Sequence, residues 1–245
     1  IPYILGRRNF GGGGLQIGEN TRVRVDPGVV LKFLRGADVQ VNGALIAEGT
    51  DQERIFFTSI KDDSQGGDTN NDGNSSTPAK DDWAGFRFND SSIESENVLK
   101  HNTIRFAKAG GGRFSKEERA ISFQNSFALF DEVTIEQIGL DAISIRGNSD
   151  PVIKNSQFLN VDRNPILMDM FANPSFENNL ISNTRRAIGI WGETWSSDAT
   201  VPKRNFGGFQ NITYVLVQND VTIGSGTTIT IPEGIVFKST GPSFI

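Results

Sequence analysis

The sequence predicts an all-β chain wound as a parallel β-helix, and three observations carry the prediction. Short apolar segments return every 22 or 23 residues over 121–190. The segments are β-branched or aromatic and are separated by Asn, Asp, Ser and Gly, which suits strands joined by turns. No segment carries an apolar stripe at helical spacing, which makes helical repeats a poor fit.

The repeat is read by sliding the sequence against itself. Ala120-Ile121-Ser122-Phe123, Ala142-Ile143-Ser144-Ile145, Pro165-Ile166-Leu167-Met168 and Ala187-Ile188-Gly189-Ile190 align at spacings of 22, 23 and 22. A second ladder pairs Leu99 with Ile104, Phe130 with Ile135, Ile153 with Phe158 and Phe176 with Ile181. Its first interval is 31 rather than 23 because of an extra loop over 110–118. Two or three short strands in about 22 residues leave no room for a crossover helix, so each repeat is one coil. A single coil cannot bury its own inward face, and stacking at about 4.8 Å completes the core. Asn155 and Asn178 fall in register, with His101 and Glu132 in the same column. Two readings of that column stand: an amide ladder, or turn residues tolerant of positive φ.

The N-terminal third continues the pattern. Segments 21–25, 29–33, 38–41, 44–47 and 54–58 read as strands, punctuated by Asp26-Pro27-Gly28, Asn42-Gly43 and Glu48-Gly49-Thr50. Alternation in 21–25 and 38–41 turns Val inward and Arg, Asp or Gln outward.

A longer repeat overlies the short one. Residues 15–32 match 221–238 without a gap at an offset of 206, and Ile1-Pro2-Tyr3-Ile4-Leu5 echoes Ile212-Thr213-Tyr214-Val215-Leu216. The expected organisation is one β-helix module over 1–245, with an Asp/Gly/Asn-rich insertion at 61–82 and a restart at 212–245 of the repeat over 1–40. The restart fits either a piece of a tandem array or a self-complementary end. No polar cap is visible at either end, so end-to-end self-association through terminal coils is expected. Arg8-Asn9-Phe10-Gly11-Gly12 also recurs as Arg204-Asn205-Phe206-Gly207-Gly208 in a different register, which the repeat does not explain.

Composition narrows the chemistry. The chain has 245 residues, no Cys, one His and a formal charge of −5. Thiolate sites and disulfides are excluded, a His-based zinc site is disfavoured, and oxygen ligands remain. Scattered Lys and Arg give no footprint for nucleic acid, and no run is long and apolar enough for a membrane span. Ile1 with no basic leader ahead of it reads as a processed or internal start, which fits an exported chain.

A family resemblance rests on residues 21–33, 41–50, 55–59, Asp62-Asp63-Ser64, 67–73 and Asp82-Trp83-Ala84-Gly85-Phe86-Arg87-Phe88, and continues through 187–190 and Tyr214. This string resembles the right-handed parallel β-helix repeat of large secreted or cell-surface bacterial proteins, a pectate-lyase-like superfamily in its non-catalytic type. The resemblance implies a right-handed coil and an extracellular or cell-surface location. It is weak for activity, because lyases, hydrolases, adhesins and structural coils share the shape.

One motif carries chemistry of its own. Asp68-Thr69-Asn70-Asn71-Asp72-Gly73 sets oxygen side chains at positions 1, 3 and 5 and Gly at 6, the opening half of a calcium loop. Gly allows the turn that brings the carbonyl of Asn74 toward the same point. Position 12 is Ala79 rather than Glu, so other ligands are sought from Asp82 or Asp81 and from Asp62 or Asp63. The expected Ca²⁺ set is Asp68, Asn70, Asp72, Asn74, Asp63 and Asp82; Mg²⁺ fits less well because it keeps water in a small octahedron.

No catalytic constellation is expected. Arg105, Glu132, Asp141, Asp169 and Glu177 are scattered, His101 has no obvious partner, and the polygalacturonase and pectate lyase signatures are absent. Trp83, Trp191 and Trp195 could form a glycan-stacking platform or simply pack loops. Sequons stand at Asn74, Asn89 and Asn211. The expected function is an extracellular structural module, part of a tandem-repeat surface protein or of an end-to-end filament, stabilised by calcium. The alternative is a carbohydrate-active enzyme, or a glycan-binding or adhesin module.

Overall fold

Strands form where an apolar residue alternates with a polar or small one, and many of the turns between them hold a residue with a left-handed backbone. A computed structural model describes residues 1–7, 13–108, 119–217 and 220–240. The insertion at 110–118 and the motif Arg8-Asn9-Phe10-Gly11-Gly12 lie outside the described residues.

In chain order the strands are β1 (Tyr3–Leu5), β2 (Gly14–Ile17), β3 (Arg22–Val25), β4 (Val30–Phe33), β5 (Asp38–Val41), β6 (Ala44–Glu48), β7 (Ile55–Ser59), β8 (Gly85–Phe88) and β9 (Val98–Lys100). They continue with β10 (Asn102–Arg105), β11 (Arg119–Gln124), β12 (Leu129–Asp131), β13 (Thr134–Ile138), β14 (Asp141–Arg146), β15 (Val152–Lys154), β16 (Gln157–Val161), β17 (Ile166–Met168) and β18 (Ser175–Glu177). The last are β19 (Leu180–Ser182), β20 (Ile188–Trp191), β21 (Thr194–Trp195), β22 (Ala199–Thr200), β23 (Tyr214–Val217), β24 (Thr222–Ile223), β25 (Ile229–Thr230) and β26 (Phe237–Ser239). Every third strand joins the same sheet. Sheet A runs β1-β4-β7-β10-β13-β16-β19, sheet B β2-β5-β8-β11-β14-β17-β20-β23-β26, and sheet C β3-β6-β9-β12-β15-β18. All the strand ladders are parallel. The chain is a right-handed parallel β-helix, as the sequence led us to expect.

The sequence ladders are the physical ladders. Ile121 pairs with Ile143, Ile143 with Ile166 and Ile166 with Ile188 in sheet B. Leu99, Phe130, Ile153 and Phe176 stack in sheet C, and Ile104, Ile135, Phe158 and Ile181 in sheet A. The two readings of the turn column are both realised. His101, Glu132, Asn155 and Asn178 have φ of 49°, 56°, 51° and 50°, and Asn178 Nδ2 donates to Asn155 Oδ1 at 3.3 Å. A neighbouring column repeats the device at Phe106, Gln137, Asn160 and Asn183, with φ between 51° and 61°. Asn and Gly tolerate this region best because other side chains crowd the carbonyl there. At Gly43 the restriction is space: a Cβ would lie 2.3 Å from the Thr21 carbonyl oxygen of the coil below.

The end of the coil stack differs from expectation. Sheets A and C stop at β19 and β18, and the segment after β22 folds across them. Phe206, 3% exposed, meets Phe158 and Phe176 edge-on at 5.3 and 4.9 Å, while Gly207 lies against Ile181. An apolar plug thus covers the last strands of sheets A and C, at an end where the sequence shows no polar cap and uncapped coils were expected. Sheet B alone runs on into the restart.

The restart reproduces the pairing of the first copy. Tyr3, Ile4 and Leu5 pair with Leu31, Lys32 and Phe33; Tyr214, Val215 and Leu216 pair with Phe237, Lys238 and Ser239, the same register in repeat numbering. The faces differ. β1 and β4 belong to sheet A, whereas β23 and β26 extend sheet B, and β24 and β25 pair with β21 and β22. The second copy thus begins one face further round.

Candidate metal centre

Residues 60–84 leave the coil between β7 and β8 and lie over the outer face of sheet A. Asp62 fixes the exit: it is 2% exposed, pairs with Arg105 Nη2 at 2.5 Å and accepts from the Ser64 hydroxyl at 2.7 Å. Trp83 fixes the return, its ring stacked on Phe33 at 4.1 Å and its Nε1 donating to the Arg105 carbonyl at 2.8 Å. Asp82 accepts from Ser59 Oγ at 2.7 Å and the Ala79 amide at 2.9 Å, and pairs with Lys61 at 2.7 Å. Asp81 is 3.6 Å from Lys108.

Three of the six aspartates of the insertion therefore have cations of their own. The other three converge: carboxylate oxygens of Asp63, Asp68 and Asp72 lie within 4.8 Å of one another. Asp63 Oδ1, Asn70 Oδ1 and Asp72 Oδ1 are buried without a hydrogen-bond partner. The second oxygen of Asp72 is held by Asn70 Nδ2 at 2.8 Å and Ser76 Oγ at 2.6 Å, which aims the first inward. Asp68 accepts from the amides of Gly73 at 2.9 Å and Asp72 at 3.2 Å. The Gly73 N–H above all holds the Asp68 carboxyl below its ordinary pKa, so it stays ionised. Converging, unsatisfied hard oxygens of this kind suit Ca²⁺.

Of the expected ligand set, Asp63, Asp68, Asn70 and Asp72 come together. Asp82 does not join them, because Lys61 and Ser59 occupy its oxygens. Asn74 follows Gly73, whose φ is 63°, and its side chain is exposed. Sequence reasoning missed Lys32. Alternation with Leu31 and Phe33 turns it outward, yet the insertion buries it completely, and its Nζ donates to the Gly67 carbonyl at 2.6 Å. Burial pushes its pKa down, while Asp62, Asp63 and Asp68 oppose the shift.

The scattered polar residues also find places. Arg105 serves Asp62 and lies 3.5 Å from Glu136. Asp141 pairs with Arg119 at 2.8 Å, both side chains 2% exposed. Asp169 accepts from the Gly147 amide at 2.8 Å, and Glu177 is exposed. His101 was expected to lack a partner; its Nδ1 lies 3.0 Å from Glu132 and 3.1 Å from Asp51. Trp83, Trp191 and Trp195 are 1%, 6% and 6% exposed, so packing wins over a stacking platform. Asn89 Nδ2 is bonded to Asn42 Oδ1 at 3.0 Å, and Asn211 Nδ2 to the Gly234 carbonyl, while Asn74 is exposed.

The profile of a family described as right handed beta helix region matches residues 112–231, just under half of the chain. The match takes in β11 to β25 and agrees with the parallel sheets. No curated protein matches the chain. No solved structure matches it either. Among the described residues, no helix is long and apolar enough to cross a membrane.

Proposed function

We propose that the chain is a structural module of an extracellular or cell-surface array, stacked end to end with further copies of itself and stabilised by Ca²⁺ at Asp63, Asp68, Asn70 and Asp72. One observation carries the stacking. Ile17 and Val25 are 1% and 7% exposed beneath the next coil, whereas their repeat equivalents Ile223 and Ile231 are 45% and 56% exposed. Tyr3 and Ile4 on the free edge of β1 are 64% and 40% exposed. An inward-facing apolar row with no coil on it among the described residues favours the burial that another copy would supply. Calcium would relieve repulsion among three carboxylates and tie the insertion to sheet A. The cation partners of Asp62, Asp82 and Asp141 support a structural rather than a catalytic role for the carboxylates of the coil.

Sedimentation and electron microscopy test the stacking. The expected result is concentration-dependent linear assembly that Ile231→Asp weakens. A monodisperse monomer that cleaves or binds acidic glycans would favour the carbohydrate-active alternative instead. For calcium, chelation is expected to lower Tm and Asp72→Asn to remove the difference; equal melting with and without calcium would refute the site.

A further inference from the structure

We infer that His101, Asp51 and Glu132 form a second metal site, for a divalent transition ion of the zinc class, separate from the calcium loop. The coil brings these residues together. Asp51 lies in the turn between β6 and β7, His101 between β9 and β10, and Glu132 between β12 and β13, three successive rungs of one turn column. Their ligand atoms all lie within 4.8 Å of one another.

Ordinary ion pairing accounts poorly for the imidazole. His101 is 9% exposed, and its Nδ1 has no hydrogen-bond partner although carboxylate oxygens stand 3.0 and 3.1 Å away. Neither short contact meets the geometry of a hydrogen bond. Ligand atoms held about 2.0–2.2 Å from one ion at tetrahedral angles are separated by about 3.3–3.6 Å, so the spacings of 3.0 and 3.1 Å need to open by only a few tenths of an ångström to share an ion. Imidazole nitrogen with carboxylate oxygen selects Zn²⁺ and its neighbours over Ca²⁺, which takes oxygen alone.

Arg54 is the nearby cation, and its hydrogen bonds go elsewhere. The guanidinium donates to the carbonyls of Asn102 and Glu132 at 2.7 and 2.8 Å, with longer contacts to the hydroxyls of Thr103 and Thr134. The carboxylates of Asp51 and Glu132 remain available, their side chains 70% and 44% exposed. The ion would sit at the surface with positions left for water or for a ligand from another molecule.

The column supplies its own non-disruptive variants, because Asn occupies the equivalent positive-φ positions at 155 and 178. Metal-free protein is titrated with Zn²⁺ by calorimetry and with Co²⁺ by absorption spectroscopy, as wild type, His101→Asn, Glu132→Asn and Asp72→Asn. The expected result is one equivalent bound, a cobalt d–d band, affinity reduced about tenfold or more in His101→Asn and Glu132→Asn, and no change in Asp72→Asn. Absence of zinc binding by the wild type would overturn the inference. So would binding and a cobalt band that survive His101→Asn in a variant whose circular dichroism shows it folded.

Discussion

One buried and one half-buried ionisable residue, Lys32 and Glu193, carry measurable consequences. Lys32 places a cation beside Asp63 and Asp68, where it partly balances the charge that calcium would balance. Lys32→Met is expected to tighten calcium binding and to lower stability without calcium, and isothermal titration with melting curves in chelator checks both. Glu193 is a carboxyl whose pKa burial raises, even though the Met170 amide and the Trp195 indole donate to its Oε1 at 2.9 and 3.0 Å. A raised carboxyl pKa means that the folded state holds the proton more tightly than the unfolded state. Its contribution to stability is therefore present below the ordinary Glu value and lost as pH rises through the raised one. Glu193→Gln keeps an acceptor at Oε1 and removes the titration. Melting from pH 4 to pH 7 should show the variant gaining on the wild type as pH rises.

Among the elements, the ladders and the plug behave differently. Ile143 is fully buried and paired above and below, so Ile143→Ala should cost about 2–5 kcal/mol in denaturant unfolding. Phe206 closes the ends of sheets A and C through two edge-on ring contacts. Phe206→Ala should cost about 3–5 kcal/mol and also expose β18 and β19, giving aggregation that Ile143→Ala does not. Of these two devices only the ladder was legible in the sequence. A constant spacing of 22 or 23 residues shows directly which side chains stack. Phe206 sits in a segment without period, and its role depends on which strands lie last in two of the three sheets.

For the whole molecule, the restart sets the scale of an array. Seven coils and one face separate β1 from its counterpart β23, about 35 Å at about 4.8 Å per coil. Fibres formed by stacking should show an axial repeat of about that length in diffraction or microscopy; a repeat unrelated to it would count against the proposed stacking. Adding calcium should stiffen the insertion and leave this spacing unchanged, because the loop lies on the outer face of sheet A rather than between coils. Hydrogen exchange with and without calcium would separate the two effects, with protection gained at 60–84 alone.

The sequence by itself determined the coil: strand period, inward residues, turn columns, the long repeat and the Asp- and Asn-rich turn at 68–73 all follow from residue type at fixed spacing. Periodicity is a local property, and a parallel β-helix converts it directly into contacts one coil away. Tertiary structure alone decided what crosses coils or covers faces. Asp62 and Asp82 were drawn to Arg105 and Lys61, leaving Asp63 to join Asp68 and Asp72. Lys32 was buried by an insertion about 30 residues further on, and Asp51 was set beside His101 although 50 residues separate them. The restart shares the register of the first copy, yet its face was set by the end of sheets A and C. Ion pairing and loop packing depend on which side chains arrive from distant parts of the chain, and no period records that.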